Sequence, residues 1–370
     1  MRRSPSAARA ASTARSPWRS ASRPSWEAQR RSRPSWCIVT WGRSDLPRVD
    51  RRGSAAPVMR PDAGLTVAAL GGGHGLAATL RALRLLTDDV TAIVTVADNG
   101  GSSGRLRSEF GVLPPGDLRM ALAALCDDTE WGHTWRDVMQ HRFSGNGPLG
   151  GHALGNLLIV SLWEMYDDPV AGLELVGRLL GARGRVLPMA AVPLDIEADV
   201  LLDGQVRCIV GQSAVARAQG PVRQVRLLPD QPPAYPESLA AVRAADWVVL
   251  GPGSWFTSVM PHLLVPDLKD ALRATRARRV LVLNLDLLRG ETTGLQAHEL
   301  IESFAHYAGD VRLDAVIVDP AEASDRDSLE RAAADVGASL VVAPVSARNA
   351  RGTHDPLRLA AAFQDLFTGR

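Results

Sequence analysis

The sequence predicts an α/β protein with a Rossmann-like, doubly wound and mostly parallel sheet, and three observations support this prediction. Short apolar runs recur after residue 64 and are continuous rather than alternating, which is typical of parallel strands buried on both faces. Segments with helical periodicity separate most of these runs. Glycine-rich loops follow several runs, as expected where strands end at the ligand-binding edge of such a sheet.

The first βαβ unit runs from residue 65 to residue 96. An apolar strand (65–70) leads into the loop GGGHG (71–75), after which leucines recur at helical spacing up to the next strand (91–96). This is about the length that a parallel crossover needs. The pattern predicts further strands at 246–250, 280–284, 315–318 and 340–343, and a helix at 321–336.

Two segments interrupt this alternation. Residues 118–180 are mostly helical in pattern, whereas residues 185–228 have the pattern of β structure. Within the latter, Asp203-Gly204 separates the apolar runs 196–202 and 205–210, which predicts a hairpin with a type I′ turn. We therefore expect a helical segment and a small β-hairpin insertion beside the main sheet, within one α/β domain at 61–370.

Composition and charge exclude several classes of protein. The three cysteines, at positions 37, 126 and 208, form no CxxC pair, which argues against a disulfide framework or a zinc knuckle and suits a reducing cytoplasm. No apolar run approaches the roughly 20 residues of a membrane span. We therefore expect a cytoplasmic protein.

The formal charge of +2 hides an asymmetry between the first 60 residues and the rest. Residues 1–60 contain 14 arginines and three acids, a net charge of +11, which leaves −9 on the remainder. An acidic body does not attract nucleic acid, so we expect no nucleic-acid partner. The Arg- and Ser-rich head should not fold alone. Three explanations of this head are open: an arm that binds nucleic acid, an organellar transit peptide or, as we favour, a start codon assigned too far upstream. In the last case the protein itself begins at Met59.

Two glycine-rich loops follow the first two strands and should open at the same edge of the sheet. Glycine lets a backbone approach a phosphate closely, and the following helix offers free N–H groups. The GGGHG loop lacks the P-loop Lys-Ser/Thr pair and the GxGxxG spacing, so taken alone it is equally well a structural turn. The loop from Asp98 to Arg105 offers amides, two hydroxyls and a guanidinium suited to a phosphate or a sugar. Asp98 is a candidate for a ribose hydroxyl or for Mg²⁺, whereas helix capping by Ser103 is the alternative use of this loop.

Three later motifs carry further polar groups. In PPGDLR, Asp117 is predicted to cap a helix and Arg119 to contact an anion. His152 and Asn156 are four residues apart and share a helical face. With no second histidine at ligand spacing, His152 is expected to contact ligand or make a buried hydrogen bond rather than bind metal. The hydroxyl-rich loop at 251–258 follows another strand.

These loops predict one ligand site at the carboxyl edge of the sheet, and no residue is predicted to be catalytic. The predicted ligand-binding residues are Gly71, Gly72, Gly73, His74, Asp98, Asn99, Gly100, Gly101, Ser102, Ser103, Gly104, Arg105, Asp117, Arg119, His152, Asn156, Gly251, Gly253, Ser254, Thr257 and Ser258.

The motifs GGGHGL, VTVADNGGSSGRLR, LPPGDLR, LGGHALGNLL and LGPGSWFTS, in this order, together resemble the gluconeogenesis factor family, which belongs to the superfamily of 2-phospho-L-lactate transferase. The resemblance covers residues 65–370. It implies a Rossmann-like fold and a cytoplasmic protein required for normal cell shape and wall synthesis on gluconeogenic carbon sources. It also implies that UDP-N-acetylglucosamine, or a close relative, binds the residues above, with no established reaction or cofactor in this branch.

Three positions depart from the family pattern. Asn99 stands where the family usually has a second Asp, His74 where it has a small polar residue, and Met120 where it has Asn. The missing carboxylate at Asn99 removes one potential Mg²⁺ ligand but does not affect binding through backbone amides and hydroxyls.

Two classes of function fit these motifs. The first is a non-catalytic sensor in which a bound UDP-sugar changes the contact with a regulatory protein partner, because no nucleophile and base lie close together in sequence. The alternative is a transferase that moves a phospholactyl group from a guanosine diphosphate donor to a deazaflavin alcohol, with Mg²⁺ held by Asp98. The GGSSGR and PPGDLR motifs favour the sensor. A dehydrogenase would need GxGxxG, which is absent, and homo-oligomerisation stays open.

Overall fold

The computed structural model describes residues 64–166, 168–285, 287 and 290–369. The Arg-rich head and the proposed start at Met59 lie outside the described residues. The described strands are, in chain order, β1 (Val67–Gly71), β2 (Val90–Val94), β3 (Arg185–Pro188), β4 (Asp195–Leu202), β5 (Gln205–Val210), β6 (Val222–Leu228), β7 (Trp247–Leu250), β8 (Arg278–Val282), β9 (Ala315–Val318) and β10 (Ser339–Val342).

Seven of these strands form a parallel sheet in the spatial order β10-β9-β8-β7-β1-β2-β3. The chain builds outward from β1 to β3, then returns to the other side of β1 and builds outward again from β7 to β10. The winding direction therefore reverses between β1 and β7, which opens a crevice at their carboxyl ends. This order confirms the predicted doubly wound α/β fold.

Helices cover the sheet and connect its strands. The described α-helices are α1 (Gly73–Leu83), α2 (Gly101–Phe110), α3 (Pro115–Leu125), α4 (Glu130–Gln140), α5 (Leu154–Tyr166), α6 (Pro169–Leu180), α7 (Gln212–Val215), α8 (Pro236–Ala244), α9 (Pro261–Leu264), α10 (Pro266–Ala274), α11 (Ala297–Ala308), α12 (Arg326–Asp335) and α13 (Pro356–Thr368). A π-helical turn (Trp255–Val259) and 3₁₀ turns (Gly290–Thr292, Pro320–Glu322) complete the loops after the strands.

Burial explains why the strands read as continuous apolar runs. Every residue of β1, β2, β7 and β9 is buried, so neither face of the sheet centre needs polar side chains. Helix α3 is also buried at every position except Met120. An interior helix has no solvent face, so its polar residues Asp117 and Arg119 must find partners inside the protein.

The small β insertion is an antiparallel sheet of β5, β4 and β6. Asp203 and Gly204 both have positive φ, 51° and 75°, and Leu202 pairs with Gln205, as a two-residue type I′ turn requires. This confirms the predicted hairpin. The β pattern expected over residues 185–228 divides between two sheets, because Val186 and Leu187 are buried beside β2 and place β3 at the edge of the main sheet.

No helix among residues 64–369, apart from the few positions left undescribed, is long and apolar enough to cross a membrane.

The loop after β1 and the loop after β7 touch so closely that glycine is required at the contact. A Cβ atom on Gly75 would lie 2.2 Å from the carbonyl oxygen of Pro252 and 2.7 Å from Cα of Gly253. These are backbone atoms, so they cannot rotate away from a larger side chain. Gly75 thus holds the two loops together at the mouth of the crevice.

We expect Gly75→Ala to lower the free energy of unfolding by about 1–3 kcal/mol, because the new methyl group must push the loop after β7 outward. Urea unfolding followed by circular dichroism measures this change. Gly147→Ala is the matched control: its Cβ meets nothing within 4 Å, and we expect a change within about 0.5 kcal/mol. Equal stability of the two variants would show that the contact is not tight in solution.

Candidate functional site

A cavity of about 430 Å³ lies in the crevice between β1 and β7, and we call it the crevice cavity. The glycine loop after β1 and the loop after β7 form two of its walls, as the sequence predicts. The predicted site residues that line it are Gly72, Gly73, His74, Asp117, Gly253, Ser254 and Ser258.

A second cavity of about 240 Å³ adjoins the first, and we call it the serine cavity. It is enclosed by the loop after β2, the starts of α2 and α3, and residues of α5. The predicted site residues that line it are Asp98, Gly100, Gly101, Ser102, Ser103, Asp117, Arg119 and Asn156. Asp117 lines both cavities, so the two loops predicted to bind ligand face adjoining polar cavities.

In both loops that surround the crevice cavity, backbone amides donate hydrogen bonds to buried carboxyl groups. Asp117 accepts a hydrogen bond from the amide of Gly73 at the start of α1. The Glu291 carboxylate accepts one from the amide of Phe256, 3.0 Å away, in the π-helical turn after β7. These amides are the donors that a bound phosphate would otherwise use at a helix start. Each loop therefore holds an internal carboxyl group where a ligand anion would otherwise bind.

Both carboxyls titrate far above their ordinary range because they are removed from water. Burial raises the pKa of Asp117 to about 7, and the nearby Asp98 carboxylate raises it further, against the opposing effects of Gly73 and Arg119. Burial likewise raises the pKa of Glu291 to about 7 despite the amides that it accepts. One oxygen of each, Oδ2 of Asp117 and Oε2 of Glu291, has no hydrogen-bond partner among the described residues. Both oxygens are buried and lack the partner that buried polar atoms usually have.

A hydrogen-bond chain centred on Ser102 forms the back of the serine cavity. Ser102 Oγ accepts from the amides of Ala153 (3.3 Å) and Asn156 Nδ2 (3.0 Å), so its proton points to His152 Nδ1, 3.0 Å away. Asn156 Oδ1 in turn accepts from Arg119 Nε at 2.8 Å. Burial, with a smaller contribution from Arg105, lowers the pKa of His152, which agrees with a neutral ring that accepts this proton.

This arrangement brings a serine and a histidine together but does not make a nucleophile. Both lone pairs of Ser102 already accept hydrogen bonds, so neither is free to attack a ligand. Histidine and serine instead fix the start of α2 against α5. The chain orients Arg119, which is 3% exposed and whose guanidinium also donates to Gln140.

Two further contacts shape the loop after β2. Ser103 does not cap α2; its hydroxyl accepts from the amide of Gly116 at 3.0 Å and ties α2 to α3. Asp98 Oδ1 accepts from the amide of Gly100 at 2.9 Å, and a Cβ on Gly116 would lie 2.7 Å from Asp98 Oδ2. The second carboxylate oxygen of Asp98 therefore lies against the start of the helix that carries Asp117. The prediction that Asp117 caps this helix is wrong, because Pro114 is the N-cap and Asp117 lies within the first turn of α3.

Seven predicted residues line neither of these cavities. Arg105 is exposed and donates to the carbonyl oxygens of Pro148 and Gly150, and Asn99 accepts from the amide of Ser213 at the edge of the insertion. Thr79 donates to the carbonyl of Gly251. The remaining four of the seven, which lie within elements or behind the cavity walls, are Gly71, Gly104, His152 and Thr257.

Several lining residues escape the sequence patterns. Asn284 follows β8 at the same edge of the sheet, so its place in the cavity wall could have been predicted from the end of that strand. Glu291 lies in a 3₁₀ turn, and Gln212 comes from the β insertion; their approach to the crevice depends on long-range packing that periodicity does not report. His354, buried, donates to the carbonyl of Leu283, and burial lowers its pKa to about 4.

Asp98 and Asp117 are the two acidic side chains that line the serine cavity. Among the described residues, no cluster of three or more His, Cys, Asp or Glu side chains has metal-site geometry. Two carboxylates and the phosphates of a ligand, however, are a donor set that Mg²⁺ uses. The unpartnered Asp117 Oδ2 agrees with that chemistry.

The chain is similar in sequence to known proteins over most of its length. Residues 67–351 match the family described as 2-phospho-L-lactate transferase CofD. A protein of Mycobacterium tuberculosis (strain H37Rv), whose name includes the words gluconeogenesis factor, is 54% identical over 308 residues, which are 81% of this chain and 90% of that protein. The gluconeogenesis factor of Bacillus subtilis (strain 168) is 36% identical over 259 residues, 70% of this chain and 80% of that protein.

A solved structure has the same fold. The crystal structure of a member of the UPF0052 family from Bacillus halodurans superposes with a TM-score of 0.72 at 32% sequence identity. The superposition covers 83% of this chain and 99% of that chain.

The raised pKa values predict how stability depends on pH. Between pH 4 and 7 the folded protein holds protons on Asp117 and Glu291 that the unfolded chain has released, so their contribution favours folding at low pH and is lost as pH rises through about 7. Glu291→Gln keeps an oxygen for the Phe256 amide without a charge. We expect it to raise Tm at pH 8, by about 2–4 °C for each kcal/mol gained, and to change Tm little at pH 5.

Scanning calorimetry at both pH values measures this difference. The exposed Glu302→Gln serves as the control, because loss of a solvated charge should leave Tm unchanged at either pH. An equal loss of Tm by Glu291→Gln at pH 5 and pH 8 would mean that the Glu291 carboxylate is ionised in the native protein.

Proposed function

The chain belongs to the 2-phospho-L-lactate transferase (CofD) family and, within it, to the gluconeogenesis factors, and on this premise we propose that it is a non-catalytic regulator that binds a nucleotide sugar. One observation carries the proposal: the loops after β1, β2 and β7 open onto adjoining polar cavities at the point where the sheet reverses its winding. That position is where doubly wound proteins bind nucleotides.

The ligand that fits this arrangement is UDP-N-acetylglucosamine or a close relative. Its diphosphate would lie in the crevice cavity against the glycine loop, whereas hydroxyls of its sugar would reach the serine cavity. Arg119, Asn156 and Asp98 there offer the donors and acceptors that sugar hydroxyls use. Ligand binding would also contact Gln212 of the β insertion and could thereby alter a surface that a regulatory partner recognises.

A binding role agrees better with the site than covalent catalysis does. The hydroxyl of Ser102 is saturated by hydrogen bonds, and the carboxyls of Asp117 and Glu291 are held by backbone amides. We infer that the protein acts in the cytoplasm and supports cell shape and wall synthesis during growth on gluconeogenic carbon sources. The name gluconeogenesis factor, which its relatives carry, supports the link to gluconeogenic growth, and the motif resemblance supports the rest.

The transferase activity that the family name describes is the second candidate. Asp98 and Asp117 would hold Mg²⁺ together with ligand phosphates, and the ion would neutralise charge on the diphosphate. Incubation with a guanosine diphosphate-linked phospholactate, a deazaflavin alcohol and Mg²⁺, followed by mass spectrometry, tests this candidate. Formation of the phosphoester product would replace the regulator proposal.

We expect Ser254→Tyr to weaken UDP-N-acetylglucosamine binding by about tenfold or more, because Ser254 is exposed, lines the crevice cavity and makes no capping bond that the change would break. Isothermal titration calorimetry measures the affinity. Ser144→Tyr, an exposed serine away from both cavities, should bind as the unaltered protein does.

The same variant tests the physiological proposal. In a bacterium that lacks its own gluconeogenesis factor, the unaltered chain should restore growth on a gluconeogenic carbon source and Ser254→Tyr should not. Full restoration by both proteins would separate the cellular role from ligand binding, and no titration heat with the unaltered chain would end the proposal of a nucleotide-sugar ligand.

We also expect the affinity for UDP-N-acetylglucosamine to fall as pH rises from 6 to 8.5 in the absence of divalent cations. Asp117 and Glu291 are largely neutral below about pH 7 and become anionic above it, where they repel the diphosphate. Titration in buffers with different ionisation enthalpies measures the protons taken up on binding. Glu291→Gln should flatten the profile, and identical profiles for the two proteins would show that Glu291 does not face the ligand.

A further inference from the structure

A cavity larger than the two already discussed lies outside them. It has a volume of about 860 Å³ and lies at the carboxyl ends of β8, β9 and β10, and we call it the third cavity. The segments after these strands form its walls, with the start of α11 at one side. None of the residues predicted from the sequence to bind ligand lines it.

The third cavity is contiguous with the crevice cavity, because Leu285 and Gly352 line both. On the other side, Asp117 lines both the crevice cavity and the serine cavity. The order across the edge of the sheet is therefore serine cavity, crevice cavity and third cavity. A nucleotide sugar has three parts in a matching linear order, with its diphosphate between the sugar and the nucleoside.

The chemistry of the two outer cavities distinguishes their ends. Leu285, Leu287 and Leu295 give the third cavity apolar surface of the kind that the faces of a base require. The serine cavity is smaller and carries charged and hydroxyl groups, with Met120 as its main apolar residue. The third cavity also carries polar groups, among them Arg348 and Asn349, which suit the edges of a base and the hydroxyls of a ribose. A base and ribose fit this larger, mixed surface, whereas a sugar fits the smaller serine cavity.

The walls of the third cavity are held in place without a ligand. Asp319, 4% exposed, accepts from the amide of Ala321 with one carboxylate oxygen and from the amides of Val345 and Ser346 with the other, at 2.8–3.0 Å. Arg358 donates to the carbonyl of Ser346 at 2.9 Å. The segments after β9 and β10 are thus fastened to each other, which is how a pre-formed binding pocket is built.

We propose that the third cavity binds the nucleoside of the nucleotide sugar, with the base against its leucines and the sugar at the opposite end in the serine cavity. This inference rests on the proposed nucleotide-sugar ligand and adds its direction across the sheet. A nucleotide sugar bound the other way round, with its base in the serine cavity, is the outcome against which it is tested.

Three probes and two variants of the full chain separate these outcomes. The probes are UDP-N-acetylglucosamine, uridine monophosphate and N-acetylglucosamine 1-phosphate. Ala350→Trp places a large ring in the third cavity, and Met120→Trp does so in the serine cavity. Ala240→Trp, on the exposed side of α8, is the matched control and should bind all three probes as the unaltered chain does.

We expect Ala350→Trp to weaken uridine monophosphate and UDP-N-acetylglucosamine by about tenfold or more and to leave N-acetylglucosamine 1-phosphate unchanged. Met120→Trp should weaken the sugar phosphate and leave uridine monophosphate unchanged. The reverse pattern, or unaltered uridine monophosphate binding by Ala350→Trp, overturns the proposed direction while the proposed function stands. If the unaltered chain binds no probe, the proposed function and this inference both fail.

A second measurement needs no variant and so does not depend on whether the tryptophans are tolerated. A uridine nucleotide sugar with a photoreactive group on its base is irradiated with the unaltered chain, and the labelled peptide is identified by mass spectrometry. Labelling within residues 294–297 or 346–352 supports the proposal. Labelling within 98–103 or 116–120 overturns it.

Discussion

The close contact between the loops after β1 and β7 is the constraint on which the candidate site depends. These strands are neighbours in the sheet, but the helices that follow them diverge because the winding reverses between them. Gly75 and Pro252 meet backbone to backbone at that point. Gly75, Pro252 and Gly253 also line the crevice cavity, so this contact joins two of its walls.

Because Asp117 and Glu291 are buried, their carboxyls titrate unlike those at a surface. Asp117 and Glu291 each accept a hydrogen bond from a backbone amide instead of from water. Burial nevertheless raises the pKa of each carboxyl to about 7. In the native protein these carboxyls occupy the positions near which a diphosphate would bind. Binding of the proposed ligand would therefore require these carboxyls to be neutralised, by protons or by a cation.

The β insertion gives this site a connection to the surface. Asn99, at the end of the loop after β2, accepts from the amide of Ser213, and Gln212 next to it lines the crevice cavity. The position at which the family usually has an acid is thus used here to join the ligand loop to the insertion. A change in the loop on ligand binding would reach the antiparallel sheet through this hydrogen bond. Such coupling is what a regulator without its own chemistry requires.

The sequence by itself determined the features that depend on local chemistry. Continuous apolar runs identified the buried strands, the Asp203-Gly204 pair identified the type I′ hairpin, and glycines marked the loops at the ligand-binding edge. Parallel strands need helical crossovers, so the doubly wound fold followed from the alternation of periods alone. The expectation that the GGGHG loop and the loop after β7 face one cavity followed from strand direction, since parallel strands end at the same edge.

Only the tertiary structure decided which side chains face the cavities and which carry charge there. Arg105 turns outward to two carbonyl oxygens, whereas Glu291, which no motif marks, reaches into the crevice. The place of β3 in the main sheet was not predicted, because its partner β2 is remote in sequence. Burial sets the pKa values of Asp117 and Glu291, and burial is a property of packing between distant segments. Local patterns report the backbone that a segment prefers, but the partners of a side chain are chosen by the assembled fold.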